Sequence, residues 1–157
     1  MQRRFRFIRT DLWREGTWLD LWSVVHFLSG LSLGFGLSFF SFGALPSFLL
    51  TVILLIAYEL WEAMVRIKEA PTNRVMDVVV GTLGFACSFW VVTPQLTTAQ
   101  WLFSFEIVLT LNVILAAIGW RASQKAEALK ARMRKRFLEK RMALLRRESH
   151  LRKKFKR

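Results

Sequence analysis

Four long apolar stretches, separated by short polar connections, dominate the chain. They cover residues 21–43, 47–65, 75–92 and 101–120. Each has roughly the 17 to 25 residues that an α-helix needs to cross the hydrocarbon core of a membrane. None alternates apolar and polar residues with a period of two, as the strands of a membrane β-barrel do. The pattern therefore predicts an all-α, polytopic membrane protein in which residues 21–120 form a domain of four transmembrane helices.

Two basic segments flank this predicted domain. Residues 1–20 mix arginines with aromatic and apolar side chains, a pattern typical of a segment that lies on the membrane surface. Residues 121–157 hold no glycine or proline and are rich in good helix formers. We therefore expect an N-terminal interfacial segment and a long, basic, cytoplasmic C-terminal helix that continues the fourth span.

Composition and charge support this division. Apolar residues make up 54% of the 157 residues and the mean hydropathy is +0.31, which is too hydrophobic for an ordinary soluble domain. Residues 121–157 hold 16 basic and 3 acidic side chains, so they account for the whole net charge of +13. The rest of the chain holds eight residues of each sign. The chain thus divides into a neutral apolar body and a basic tail.

The distribution of basic residues also predicts the orientation of the spans. Connections on the cytoplasmic side of a membrane carry an excess of lysine and arginine. Connection 66–74 is basic, as are both ends of the chain, whereas connections 44–46 and 93–100 carry no charge. This predicts a multi-pass membrane protein with both termini and connection 66–74 on the cytoplasmic side.

Ionisable residues inside the predicted spans indicate a candidate site. A charged side chain in a membrane helix costs about 2.5 to 3.5 kcal/mol on insertion scales, so it usually faces the interior of the helix bundle. At 1.5 Å per residue, His26, Glu59 and Glu62 lie roughly 7, 9 and 5 Å below the cytoplasmic ends of their spans. Asp77 lies two residues into the third span. The predicted ligand-binding residues of this layer are His26, Glu59, Glu62, Asn73, Asp77, Arg66 and Arg74.

Small residues share a helix face with two of these polar residues. Glycines follow His26 along one stripe of the first span, and glycines follow Asp77 along one stripe of the third. Small residues on a stripe allow two membrane helices to approach closely. We therefore expect the first and third spans to pack through these stripes, which contain Gly30, Gly34, Gly81 and Gly84.

The residue types leave several uses of the polar layer open. It is either a set of satisfied interfacial charges, a site for a polar headgroup or small ligand, a divalent metal site, or a proton relay. One histidine and several carboxylates suit a divalent ion, and the candidate ligands are His26, Glu59, Glu62 and Asp77. The sequence lacks the spaced histidine or glutamate pairs of common helical metal motifs. No cofactor is therefore predicted, and a divalent metal stays an alternative.

Three short motifs together resemble the VanZ-like family of small bacterial membrane proteins. They are His26-Phe27 near the start of the first span, a pair of glutamates that ends the second, and the pattern N-x-x-x-D-x-x-x-G-x-x-G over residues 73–84. The resemblance covers about residues 20–92 and implies a four-helix protein of the cell envelope, in the bacterial plasma (inner) membrane. The family is associated with glycopeptide tolerance, and the resemblance implies no particular chemistry.

This chain departs from the family pattern at several positions. The family often has Asp-Lys a few residues before its His-Phe, whereas here only Asp20 lies nearby, followed by Leu21 and Trp22. Its glutamate in the second span is often followed by glutamine, whereas here Glu62 follows. The long basic tail lies outside the pattern. These departures concern the first and second spans, which carry His26, Glu59 and Glu62.

Two main hypotheses for function follow. The first is an envelope protein that binds an amphiphile, such as a lipid or lipid-linked molecule, through the polar layer at the inner leaflet, without a claim of catalysis. The second is a membrane anchor or adaptor whose tail binds anionic lipids of the inner leaflet, nucleic acid, the ribosome or a protein partner. A phage-type hole-forming protein is a third possibility, which the ordered polar layer disfavours. The candidate tail contacts are Arg132, Arg134, Lys135, Arg136, Lys140 and Arg141.

Two further residues in the apolar body have expected structural roles. Glu106 lies about 8 Å deep from the outer end of the fourth span, where we expect interhelical hydrogen bonding, with an ion-handling carboxylate as the alternative. Cys87 is the single cysteine and lies in an apolar run. It is expected to be a buried structural thiol.

Overall fold

The protein is all-helical in the parts of the chain that the computed structural model describes. These are residues 13, 18–40, 42–64 and 70–154, with side chains of the last helix described up to residue 143 and at 145. The main helices are α1 (Leu21–Leu37), α2 (Ala44–Met64), α3 (Pro71–Ala86) and α4 (Thr98–Lys154). A 3₁₀ turn (Ser38–Phe40) extends α1, and a π-helical segment (Cys87–Val92) with a 3₁₀ turn (Thr93–Gln95) extends α3.

Four of these helical stretches are long and apolar enough to cross a membrane. They are Leu21–Phe40, Ala44–Met64, Pro71–Gln95 and Thr98–Ala143. The predicted all-α class with four candidate membrane helices is therefore confirmed. The described residues also have the alternating helix directions that four successive spans require, since α1 and α3 run parallel while α2 and α4 run antiparallel to them.

Several helix ends differ from the predicted boundaries. α2 begins at Ala44 rather than 47, α3 at Pro71 rather than 75, and α4 at Thr98 rather than 101. The first turn of a helix leaves its N–H groups without partners within the helix, so polar residues and proline are tolerated there. A hydropathy pattern does not include such a turn. As a result, Asn73 and Arg74 lie in the first turn of α3 and not in the connection before it.

α1 is the central helix of the bundle. It packs most closely against α3, and α4 packs along another side of α1, while α2 packs mainly against α3. Asp20 caps the N-terminus of α1, because its carboxylate accepts the backbone N–H groups of Trp22 (2.7 Å) and Ser23 (3.3 Å). The Ser23 hydroxyl in turn accepts the backbone N–H of Asp20 (3.3 Å), which completes a capping box.

The contact between α1 and α3 brings the two backbones together. A Cβ atom added to Gly30 would clash with the carbonyl oxygen of Gly81, and one added to Gly84 would clash with the carbonyl oxygen of Phe27. A Cβ atom added to Gly34 would meet the Ser88 hydroxyl. The four glycines named from the sequence therefore lie in this contact, which we call the α1–α3 seam.

α2 joins the seam at one position. A Cβ atom added to Gly81 would lie 2.9 Å from both methyl carbons of the Leu55 side chain, and 3.3 Å from the backbone oxygen of His26. Leu55 is buried, and Glu59 lies one turn further along the same face of α2. The three helices thus meet at the level of Gly81, and this meeting fixes where the polar residues of the next turn lie.

The π-helical segment follows the seam on α3. Ser88 is fully buried and donates a hydrogen bond to the backbone oxygens of Gly84 (3.2 Å) and Phe85 (3.1 Å). Cys87 is half-buried, so the expectation of a buried thiol is corrected. The physical reason is that Ser88, one residue further on, takes the position against Gly34.

α4 joins the fourth candidate span and the basic tail in one helix. Its side chains from residue 127 to 143 are all exposed. Near the start of α1, Trp13 packs on α4: two of its ring carbons lie 2.5 Å from the position of a Cβ atom added to Gly119. Trp13, Val25 and Ala122 form a small buried cluster there. The predicted interfacial segment otherwise lies almost wholly outside the described residues.

Candidate functional site

Three helices bring His26, Glu59 and Asp77 together, and we call these residues the triad. His26 comes from α1, Glu59 from α2 and Asp77 from α3. Nδ1 of His26 lies 3.5 Å from Oε1 of Glu59, and Nε2 of His26 lies 3.9 Å from Oδ2 of Asp77. The three residues are 5%, 6% and 1% exposed, respectively. The imidazole therefore lies between two buried carboxylates that come from different helices.

Asp77 is held by hydrogen bonds to both of its carboxylate oxygens. The Ser23 hydroxyl of α1 donates to Oδ1 at 2.6 Å, and Nδ2 of Asn73 donates to Oδ2 at 3.2 Å. Ser23 is 5% exposed and Asn73 is fully buried. Because one donor comes from α1 and the other from α3, these hydrogen bonds orient the carboxylate and also connect the two helices.

Asp20 extends this network to the N-terminus of α1. Nδ2 of Asn73 donates to Oδ2 of Asp20 at 3.1 Å, while Oδ1 of Asp20 caps the helix. Asp20 was not among the residues predicted for the site. Its signal in the sequence was the spacing Asp-x-x-Ser directly before an apolar stretch, which is typical of a helix N-cap. The cap of α1 and the triad therefore share one hydrogen-bond network.

An aromatic side chain covers one edge of His26. The rings of Tyr58 and His26 are 5.5 Å apart in a T-shaped arrangement, and Tyr58 is 5.8 Å from the ring of Trp61. Tyr58 is 41% exposed and Trp61 is 46% exposed. Tyr58 was also not predicted as a site residue. It connects the buried imidazole with the outer surface of α2.

The remaining predicted residues lie around the triad or outside the described chain. Glu62 is half-buried and lies beyond Glu59 towards the end of α2, which places it outside the group of three potential metal ligands. Three of the four predicted metal ligands therefore come together, and Glu62 does not join them. Three residues raise Glu62 about 4.5 Å along α2 from Glu59, so it lies nearer the end of the helix than the triad does. Arg74 is half-buried in the first turn of α3, and Arg66 lies outside the described residues.

The triad has the composition and spacing of a possible cation site. One donor atom can be chosen from each residue so that all three atoms lie within 4.8 Å of one another. An imidazole and two carboxylates are suitable ligands for divalent ions such as zinc, manganese or iron. The same groups also suit proton transfer, since histidine exchanges protons near neutral pH. The arrangement therefore supports either cation binding or proton exchange.

The two polar residues of α4 differ in their environment. Nδ2 of Asn112 donates to the Ser29 hydroxyl of α1 at 3.0 Å, so Asn112 makes an interhelical hydrogen bond. Glu106 is exposed on α4. The interhelical hydrogen bonding expected for Glu106 is therefore corrected, because the side chain that hydrogen-bonds to α1 from this part of the described helix is that of Asn112. The candidate contacts of the tail, which are all exposed, are Arg132, Arg134, Lys135, Arg136, Lys140 and Arg141.

Comparisons with protein-family models, with curated proteins and with solved structures returned no match for this chain. Function is therefore inferred from the chemistry of the triad and its surroundings.

Proposed function

We propose that this protein is an integral membrane protein of the bacterial envelope that binds an amphiphile at the inner leaflet through the triad and its hydrogen-bond network. The amphiphile is a lipid or a lipid-linked molecule. Its polar headgroup binds at the triad, and its chain lies along the outer surface of α2. This role agrees with the VanZ-like resemblance, which rests on the motifs of residues 20–92.

The observation that carries this proposal is the position of Tyr58. Its ring contacts His26, and 41% of the side chain is exposed. Tyrosine and tryptophan are enriched where a membrane meets water, because each combines an apolar ring with a polar group. Tyr58 and Trp61 therefore offer an acyl chain a surface directly beside buried polar groups. A set of charges that served only to hold the helices together has no need of a pair of exposed aromatic side chains beside it.

The charge distribution supports the inner leaflet as the location. The start of α1, the end of α2 and the start of α3 form one end of the bundle, since the triad joins them. α4 reaches that end near Gly119, and the basic tail of residues 121–157 follows. Basic segments stay on the cytoplasmic side. The triad then lies just below the cytoplasmic headgroups, where lipid headgroups are within reach.

The test is a comparison of the amphiphiles that co-purify with wild type and variants. Glu59→Ala and Asp77→Ala are expected to carry at least about tenfold less of the amphiphile, because a loss of ~1.4 kcal/mol changes an affinity tenfold. Glu106→Ala is the matched control, since it removes an exposed carboxylate from another helix. Mass spectrometry of organic extracts measures the amount per protein, after membrane insertion has been verified for each variant. Equal amphiphile content in all four proteins would refute the proposal.

A second candidate function is an adaptor that acts through the tail. It is favoured by the continuous α4 helix, whose exposed section carries a basic surface between residues 127 and 143. Each lysine or arginine near anionic lipids contributes about 1 kcal/mol. A straight continuation of a span leads away from the membrane, however, so nucleic acid, the ribosome or a protein is the better partner. Deletion of residues 125–157 abolishes this function and spares amphiphile binding, whereas Glu59→Ala has the opposite effect.

A further inference from the structure

We propose that the triad binds a divalent metal ion, with His26, Glu59 and Asp77 each supplying one ligand atom. This inference rests on the proposed function, because it names the component of that site to which a headgroup attaches. The metal is of the class that accepts both nitrogen and oxygen ligands, such as zinc or manganese. Glu62 is not a ligand.

The spacing of the donors fits one ion after a small adjustment. In a tetrahedral site, ligand atoms about 2.0 to 2.2 Å from zinc lie about 3.3 to 3.6 Å from one another. The three donors of the triad lie within 4.8 Å of one another. The site therefore closes around an ion when the side chains move inwards by less than about 1 Å. The helix backbones can stay in place, since such shifts need only small changes in side-chain torsions.

Burial and charge favour an ion over a direct contact with a headgroup. The three side chains are each less than a tenth exposed, so the space among them suits a small ion rather than a whole lipid headgroup. Glu59 and Asp77 place two carboxylates within one buried layer, and burying a charge costs several kcal/mol per ion unless it is compensated. A divalent cation compensates both carboxylates at once.

The surroundings of Asp77 resemble the outer shell of a metal site. Ligating carboxylates are usually oriented by further hydrogen bonds, and these outer partners influence metal affinity. Asp77 accepts one hydrogen bond from Ser23 and one from Asn73, and Asn73 is itself bonded to the capping Asp20. Asn73 and Ser23 are both buried. Asp77 is therefore held in one orientation by two residues that act as positioning residues.

A site with three protein ligands leaves at least one coordination position open, as catalytic zinc sites do. An oxygen atom of a phosphate or hydroxyl headgroup can occupy this position. The ion thereby neutralises the two carboxylates, which alone would repel an anionic headgroup. The metal thus explains how a buried acidic layer would bind a phosphate-bearing amphiphile next to Tyr58.

Metal content provides the first test. Wild type in mild detergent is stripped with a chelator, incubated with Zn²⁺ and, separately, with Mn²⁺, and passed over a desalting column. Elemental analysis is expected to find one ion per chain in wild type and in the controls Glu106→Gln and His150→Gln. The variants His26→Gln, Glu59→Gln and Asp77→Asn are expected to retain little. Metal uptake by wild type that does not exceed uptake by these three variants overturns the inference.

A second set of variants keeps the result interpretable if a triad variant fails to fold. Ser23→Ala leaves all three ligands in place and is expected to weaken metal affinity by about 10- to 100-fold, the usual effect of removing an outer-shell partner. Added metal is also expected to raise the Tm of wild type and of Glu106→Gln, because an ion that binds only the folded state stabilises it. No rise in the Tm of wild type at saturating metal contradicts the inference.

Metal binding and amphiphile binding can be refuted separately. Amphiphile content is measured with and without the chelator in the same wild-type preparation. Amphiphile retained together with absent metal uptake overturns the metal site and leaves the proposed function standing. Stoichiometric metal without a bound amphiphile supports the metal site and overturns the proposed function. Loss of both on chelation supports both.

Discussion

Two carboxylates of this chain lie in different environments, one in a buried contact between helices and one on an exposed helix surface. Asp77 in the α1–α3 seam is 1% exposed and accepts hydrogen bonds from two side chains. Glu106 on α4 lies in an equally apolar stretch and is exposed. The difference comes from the neighbouring small residues. Glycines at 30, 81 and 84 let α1 and α3 touch through their backbones, so the polar residue at the end of the seam is enclosed.

The contrast teaches that apolar composition alone does not define a polar site in such a bundle. α4 contains the more apolar window of the two, but half of the most apolar window of α1 is buried and only 6% of that of α4. A carboxylate on the central helix pair is surrounded by donors from two or three helices. A carboxylate on the outermost helix is not surrounded by such donors. Four predictions, from the largest expected effect to the smallest, test this difference.

The largest effect is expected for Gly30→Ala. The added Cβ atom would clash with the backbone oxygen of Gly81, which cannot move without separating the two helices. We expect a loss of about 3 kcal/mol of stability, at the upper end of the usual cost of overpacking. Unfolding in detergent, followed by circular dichroism, measures it. Gly36→Ala is the matched control on the same helix, since its Cβ would lie 3.7 Å from Phe105, an ordinary contact. Equal losses of stability in both variants would contradict the close backbone contact at Gly30.

The next largest loss of stability is expected for Asp77→Ala. It leaves the Ser23 hydroxyl and the Asn73 amide without an acceptor at Asp77, and an unsatisfied buried polar group costs about 1 to 3 kcal/mol. Glu106→Ala is the control, and its effect should stay within about 0.5 kcal/mol because the side chain is exposed. Metal-free protein is used, so that the loss of hydrogen bonds is not mixed with a loss of metal binding. A larger loss of stability for Glu106→Ala than for Asp77→Ala would contradict the difference between the two regions.

Asn112→Ala tests the contact between α1 and α4. It removes the hydrogen bond to Ser29, and such bonds between membrane helices contribute about 0.6 kcal/mol on average. The same unfolding assay detects a shift of this size. Thr110→Ala, on the exposed side of α4, is the reference and should differ from wild type by less. A loss above that of Asp77→Ala would show that α4 and not the seam stabilises the bundle.

The smallest effect is expected from deletion of residues 125–157. The described side chains after residue 126 are exposed and do not form part of the buried cluster at Ala122. The unfolding free energy of the remaining chain should change by no more than about 0.5 kcal/mol, as for exposed substitutions elsewhere. A marked loss of stability would mean that the tail packs against the body.

The sequence predicted the layer of the triad but not its connections. Hydropathy set the span boundaries, and the rise of a helix then placed His26, Glu59 and Asp77 at similar depth. The position of α2 along the other helices depends on packing at Leu55, which is why the sequence did not separate Glu62 from the triad. Hydrogen bonds from Ser23 to Asp77 and from Asn73 to Asp20 span more than fifty residues. Such pairs depend on the positions of three helices, which local patterns do not contain.

The fold of α4 was predicted more completely than its contacts. A run of good helix formers without glycine or proline predicted a helical tail. The contact of Trp13 with Gly119 was not predicted, because nothing in the local sequence relates a tryptophan before α1 to a glycine on α4. The role of Tyr58 beside His26 was missed for the same reason, since it depends on which side of α2 faces α1.

The unbroken α4 helix also has a mechanical consequence. At 1.5 Å per residue, the section from Trp120 to Lys154 is about 51 Å long. A tilt of roughly 10° about its membrane portion would move the far end by about 9 Å. A small rotation of α4 against Trp13 and Trp22 would therefore produce a large displacement of the far end of the tail. A partner bound at that end would respond to the tilt of α4 against α1, or would set that tilt.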